Sequence, residues 1–396
     1  MRFLYVFFFL CSAYVHAQKP KEVLNWINTA KSENKDFYYE IPFEYRNNEI
    51  VIQVRIGGQT YDYIFDTGGY NNITDAIQAK NNFPILTKQT VGSSNKIKKE
   101  INIVKVDSLH IGKLIFHDIV ALQMNFDESP TIKCTIDGGL IGASIIKNYI
   151  WQIDYPNKKI IVTDQISRIV NLKQAVKVPV TFNSRLMPYI EIKINDKKEK
   201  MMFDLGSATL FSMTEKIAKK HGIENAITLT GGGTEGGNGV IKEPIYIINS
   251  GKVEIKNLLY LNKPIYYTST NNEPLIGNPI IKDYIVTMNF KDDQIYFLPI
   301  NESAVNDGWS TFGFTIEYND GKSKVATLLK DSEAAKAGLQ VNDEIVAVDG
   351  QKADCLDYCQ CKKIYSMLLE TKNEITLDVN KNGQTQKITL KKQKIF

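Results

Sequence analysis

Apolar and polar residues alternate along 50–56 and again along 189–194, a period of two that predicts strands with one buried face. A turn signal follows each, Gly57-Gly58 in one place and Asn195-Asp196 in the other, and a short apolar run comes after it, so each segment predicts a hairpin. Segments 73–80 and 213–220 have helical composition, further strands are expected within 101–122 and 240–267, and 155–179 reads as a link between two halves. The expectation is a mainly β chain with a few short helices.

The two halves are copies. Leu140-Ile141-Gly142-Ala143-Ser144-Ile145-Ile146-Lys147-Asn148-Tyr149-Ile150 recurs as Leu275-Ile276-Gly277-Asn278-Pro279-Ile280-Ile281-Lys282-Asp283-Tyr284-Ile285, an offset of 135. Upstream, Tyr63-Ile64-Phe65-Asp66-Thr67-Gly68-Gly69 recurs as Met201-Met202-Phe203-Asp204-Leu205-Gly206-Ser207, an offset of 138. Two matches at nearly one spacing indicate an internal duplication.

Composition narrows the chemistry. The 396 residues are 43% hydrophobic and 23% charged, an ordinary globular balance that leaves room for two or three domains. A formal charge of +4, evenly spread, gives no basic stripe for nucleic acid. With 4 histidines and 5 cysteines there is little to build a metal centre from, so no metal is expected and the chemistry falls to carboxylates. His110, His117 and His221 stand apart from one another and read as surface or satisfied structural residues.

Asp66 and Asp204 each follow three apolar residues and precede a Gly by two positions, which places a carboxylate at the end of a buried strand on a tight turn. One such Asp is ordinarily a turn cap. Two of them related by a pseudo-two-fold axis would meet face to face, where like charges cannot both ionise and one proton is shared. Such a pair can act as base on a water and as acid on a peptide carbonyl.

In these motifs the chain resembles the pepsin/retropepsin-like aspartic peptidases of bacterial type, with both lobes in one chain. Phe65-Asp66-Thr67-Gly68 matches the apolar-Asp-Thr/Ser-Gly motif, and Leu140-Ile141-Gly142 and Leu275-Ile276-Gly277 match the apolar-apolar-Gly that packs beneath each catalytic loop; the resemblance covers roughly 43–299. It implies two pseudo-symmetric β-barrel-like lobes and Asp66 and Asp204 as a catalytic dyad. Thr67, Gly68, Gly206 and Ser207 would support the catalytic loops, and no cofactor is required. The substrate would be a peptide or protein, cut most readily at acidic pH.

Two positions depart from the family pattern. Leu205 stands where a Thr or Ser hydroxyl would reach across to the opposite loop, and Gly69 stands where a Ser or Thr would bond the carboxylate. These departures leave open a second reading, a catalytically degenerate peptide-binding or scaffold protein on the same fold. Hairpin flaps should cover the site. The first falls at 87–99, centred on Gly92-Ser93-Ser94-Asn95, and the second at 230–239, where six glycines in ten residues predict a mobile loop or lid.

A third pattern follows Pro299. Residues 332–350, from Ser332 through Gly338 and Asn342-Asp343 to Asp349-Gly350, resemble the middle of a PDZ domain: a short helix stopped by Gly, a turn, and a buried strand ending in an Asp-Gly turn. By that resemblance Thr311-Phe312-Gly313-Phe314 is the carboxylate-binding loop for a peptide C-terminus or an internal segment, and a helix over 356–370 walls the groove. An ordinary β turn is the alternative for this loop.

The first residues, Met1-Arg2 followed by an apolar run and Val15-His16-Ala17, read as a secretory signal. The run is too short to span a bilayer, so the mature chain is expected to be exported, periplasmic or secreted, with no transmembrane span. Its remaining cysteines, Cys134, Cys355, Cys359 and Cys361, would then lie where disulfides form. Cys355 with Cys359 or Cys361 is one pairing, and the sequence leaves the choice open. The expected organisation is a signal peptide (1–17), an N-terminal segment (18–41), lobe 1 (42–165), lobe 2 (176–300) and a PDZ domain (308–396).

Overall fold

The computed structural model describes residues 28–221, 226–301, 308–381 and 383–396. The export signal read at 1–17 lies outside the described residues, as does most of the polar stretch after Pro299. The chain is mainly β, with few helices.

Both predicted hairpins form. Strand Glu49–Ile56 turns through Gly57 and Gly58 into Gln59–Phe65, and Pro188–Ile194 turns through Asn195 and Asp196 into Lys197–Asp204. Asn195 and Asp196 take positive φ, 48° and 66°, a turn geometry matched to strand twist. Each returning strand then pairs in parallel with its own Leu-Ile-Gly strand. In one copy Phe65 lies opposite Ile141, and in the other Phe203 lies opposite Ile276. Because these registers are equivalent, both aspartates leave their strands in the same way, each at the edge of a buried parallel pair.

The copies join through a sheet ordered Val176–Pro179, Gln294–Pro299, Tyr284–Asn289, Ile150–Asp154, Lys159–Thr163, Tyr38–Arg46. Its central pair is antiparallel, with Trp151 opposite Met288 and Ile153 opposite Val286. One apolar core runs through both copies, from Phe37 to Phe297, and includes Trp151, Phe65, Phe203 and Leu205. The first strand begins at Tyr38, and Ala30 and Phe37 belong to that core, so the folded body takes in part of the expected N-terminal segment.

Residues from Phe312 to Leu390 enclose a separate core of strands Phe314–Asn319, Lys322–Leu329, Glu344–Val348, Glu374–Lys381 and Gln384–Lys391, closed by helix Tyr358–Thr371. A strand pairing and a disulfide are among the links that hold this module to the rest. Ile227–Thr230 adds to the edge of Lys322–Leu329, with Leu229 opposite Leu329, and a disulfide joins Cys134 to Cys359 across 225 residues of sequence. The second disulfide, Cys355 to Cys361, lies within the module, so one of the local pairings expected there forms and the other is replaced by a long-range bridge.

Candidate active site

Asp66 and Asp204 come together, as the duplication predicts, and their carboxyls hydrogen-bond each other. Asp66 is buried and Asp204 partly so. Each carboxylate also accepts a backbone N–H from its own loop, Gly68 to Asp66 Oδ1 at 2.8 Å and Gly206 to Asp204 Oδ1 at 2.9 Å. The loops interlock: a Cβ on Gly68 would lie 2.3 Å from the Asp204 carboxyl carbon, and one on Gly206 would lie 2.4 Å from that of Asp66. Any side chain at either glycine would push the carboxyls apart, which is the physical reason for Gly after each Asp.

A hydrogen bond between two carboxyls requires one proton between them. Burial lifts both acids above the ordinary range, and Asp66 is lifted further by the charge of Asp204 and by its bond to it. The pair therefore shares one proton above the pH at which an isolated carboxyl would lose it.

Thr67 is fully buried and its hydroxyl crosses between copies, donating to Phe203 O at 2.7 Å and accepting from Leu205 N at 2.9 Å. Leu205 is fully buried in the common core and makes no reciprocal bond through its side chain. Gly69 compensates in a different way: its backbone N–H bonds the Asp66 carboxylate, and a Cβ there would sit 2.2 Å from Asp66 Oδ2. Ser207 Oγ accepts the N–H of Thr209 at 3.5 Å.

Beneath the first loop, Asn71 Oδ1 accepts from Gly142 N at 2.8 Å and its Nδ2 donates to Ser144 Oγ at 2.6 Å. Beneath the second, the buried Asn278 takes over. Its residue type differs from Ala143 at the matching position of the first copy, a visible asymmetry in the repeat that the sequence reading did not use. Glu49 is a third carboxyl near the dyad, pushed well above its ordinary range by burial and then by the charges of Asp66 and Asp204.

The two segments expected as flaps meet each other. Strands Ile85–Gly92 and Lys98–Ile111 carry the first tip. The second is a correction: the glycine-rich segment is a paired hairpin, Gly233–Gly236 with Gly239–Lys242, and not a loose loop. Backbone pairing needs no side chains, and close approach makes glycine necessary; a Cβ on Gly231, at φ +75°, would lie 2.3 Å from Ala326 O of the C-terminal module. Two buried asparagines bolt the tips together. Asn95 Nδ2 donates to Thr234 O and Gly239 O, both at 2.8 Å, and Asn238 Nδ2 donates to Val91 O at 2.9 Å and Ile97 O at 3.0 Å. Glu235 of the same hairpin accepts from Thr131 N at 2.8 Å and Ile132 N at 3.1 Å, beside the helix that carries Cys134.

The Thr311-Phe312-Gly313-Phe314 loop lies in the C-terminal module, away from the dyad in sequence. Phe312 and Phe314 are buried in its core, Gly313 has φ +81°, and the Gly313 N–H donates to Thr311 Oγ1 at 3.1 Å. Helix Tyr358–Thr371 packs against the following strand, Phe314–Asn319. Among the histidines, His221 Nε2 lies 2.9 Å from Glu199 Oε1, a satisfied buried pair. Among the described residues no helix is long and apolar enough to cross a membrane, and no group of three His, Cys, Asp or Glu could hold a metal ion. No protein-family model matches the chain, and no curated protein matches it either.

Proposed function

We propose that this chain is an aspartic endopeptidase of the pepsin/retropepsin-like kind, exported, with a PDZ-like C-terminal module that recruits or regulates peptide substrates. The observation that carries the reading is the proton-sharing pair of Asp66 and Asp204, presented by two equivalent loops and crossed by the Thr67 hydroxyl.

In this reading a water lies between the carboxyls. One carboxylate of the pair takes a proton from it as its oxygen attacks the peptide carbonyl carbon, while the other gives its proton to the carbonyl oxygen. A gem-diol results. Return of a proton to the amide nitrogen then lets the C–N bond break, leaving a carboxylic acid and an amine, and the dyad recovers its single proton. The two hairpins would exclude bulk water over an extended substrate. The raised pKa values extend the singly protonated state above the usual carboxylate range, so activity should persist to higher pH than an unperturbed pair allows.

The second reading, a binding protein without turnover, draws on Leu205, whose buried side chain offers no hydroxyl. Pepstatin separates the two, because its hydroxyl mimics the gem-diol and sits between paired carboxyls. The peptidase reading expects saturable binding to the full chain at acidic pH, lost in Asp66→Asn and in Asp204→Asn. Equal binding by the wild type and both variants, or none by a folded wild type, would favour the binding protein.

A further inference from the structure

A hydroxyl at position 205 would give the two catalytic loops a second crossing bond beside that of Thr67, so its absence raises the question of what else ties the second loop to the first lobe. The Thr67 hydroxyl of the first loop crosses to the second, where it bonds Phe203 O and Leu205 N. On the other side of the second loop stands Asn278, fully buried just after Gly277. Its backbone N–H donates to Ser207 O at 2.9 Å, and its Nδ2 donates to Leu205 O at 3.3 Å. The same amide reaches into the first lobe, donating to Asn48 O at 2.7 Å and to Glu49 Oε2 at 3.2 Å. Its Oδ1 accepts the Tyr45 hydroxyl at 2.7 Å, which fixes the orientation of the amide. The Asn278 side chain thus meets three residues of lobe 1 and Leu205 of the loop that carries Asp204, and its backbone meets Ser207 of the same loop.

We infer that Asn278 is a positioning residue for the dyad, replacing the absent hydroxyl of position 205 by tying the Asp204 loop to Tyr45, Asn48 and Glu49 of the opposite lobe. The asymmetry of the repeat follows from this division of labour. From the first copy the Thr67 hydroxyl crosses to the second loop, and from the second copy Asn278, where the first has Ala143, reaches back to the first lobe. The inference rests on the peptidase reading for its kinetic consequences, but its structural content stands without turnover.

The test uses the full chain carrying Asn278→Ala, alone and with Leu205→Thr, and also Tyr45→Phe. In folded Asn278→Ala, kcat for peptide cleavage should fall about 10- to 100-fold with KM changed by less than about twofold, because a loosened loop misplaces Asp204 without touching substrate. Adding Leu205→Thr should recover at least about tenfold, since a hydroxyl there rebuilds the crossing bond; a merely structural role for Asn278 would gain nothing from it. If Asn278→Ala does not fold, Tyr45→Phe frees the amide more gently and should lower kcat by about 3- to 10-fold. Amide exchange at Leu205 and Gly206, faster in Asn278→Ala while the central sheet is unchanged, reads the same claim without activity. If the wild type cleaves nothing but this exchange responds, the peptidase reading fails and the anchor survives. Unchanged kcat and exchange in folded Asn278→Ala or Tyr45→Phe, or no recovery in the folded double variant, would overturn the inference.

Discussion

Gln152 and Thr287 occupy equivalent positions in the two copies, at the same offset of 135 as the Leu-Ile-Gly motifs, and they lie opposite each other in the central antiparallel pair. The pseudo-two-fold axis therefore passes between them. The buried contact there is itself asymmetric, Gln152 Nε2 donating to Thr287 Oγ1 at 2.8 Å. The same axis brings Asp66 onto Asp204, so the geometry of the dyad is set by a strand pair remote from it in sequence.

Stability should fall as pH rises through the window in which the dyad is strained. Asp66 and Asp204 have folded pKa values above their unfolded ones, so the folded chain binds more protons than the unfolded chain once pH exceeds about 4, and stability declines from there toward the raised folded value. Asp66→Asn removes the like-charge conflict. At about pH 7 it should melt above the wild type, and the gap should close toward about pH 4. Thermal melts across that range check this, and a variant that melts lower at neutral pH would refute it.

Thr67 carries the hydroxyl that crosses between the two catalytic loops. Thr67→Val keeps its volume and leaves Phe203 O and Leu205 N unpaired in a buried place, at a cost of about 2–4 kcal/mol. Thr67→Ser keeps the bonds and should cost less than about 1.5 kcal/mol. Urea unfolding of both variants measures the difference.

The tips of the two hairpins should open together. Asn95 and Asn238 each hold two carbonyls of the opposite hairpin, so removing either frees both tips. Asn95→Ala and Asn238→Ala are expected to speed amide exchange over 91–97 and 233–240 alike. Acceleration confined to the mutated hairpin would mean that the tips are not coupled.

The Cys134–Cys359 bridge ties the module to the first lobe beside Glu235, so the module helps hold the glycine-rich hairpin. Non-reducing digestion should yield linked peptides containing Cys134 with Cys359 and Cys355 with Cys361. Cys134→Ser with Cys359→Ser should lower stability by about 2–5 kcal/mol, read by denaturant titration.

Much of this arrangement was legible in the chain because its signals are local. Period-two patterning gave both hairpins, the turn residues gave their tips, and the repeat alone paired Asp66 with Asp204. What escaped depends on long-range contacts. Asn278 acts on residues some 230 positions away, and Cys134 finds a partner 225 away, so neither has a signature in its own neighbourhood. The glycine-rich hairpin was misjudged for a related reason: composition predicts mobility, whereas close backbone approach to the first flap and to the C-terminal module orders it.

The account turns on the dyad, and the most direct test is cleavage of a complex peptide mixture by the mature chain, followed by mass spectrometry from about pH 3 to about pH 7. Discrete new termini should appear for the wild type and fall by at least about 100-fold in both Asp66→Asn and Asp204→Asn. Cleavage that survives either substitution, or a folded wild type that cuts nothing at any pH, would contradict the account.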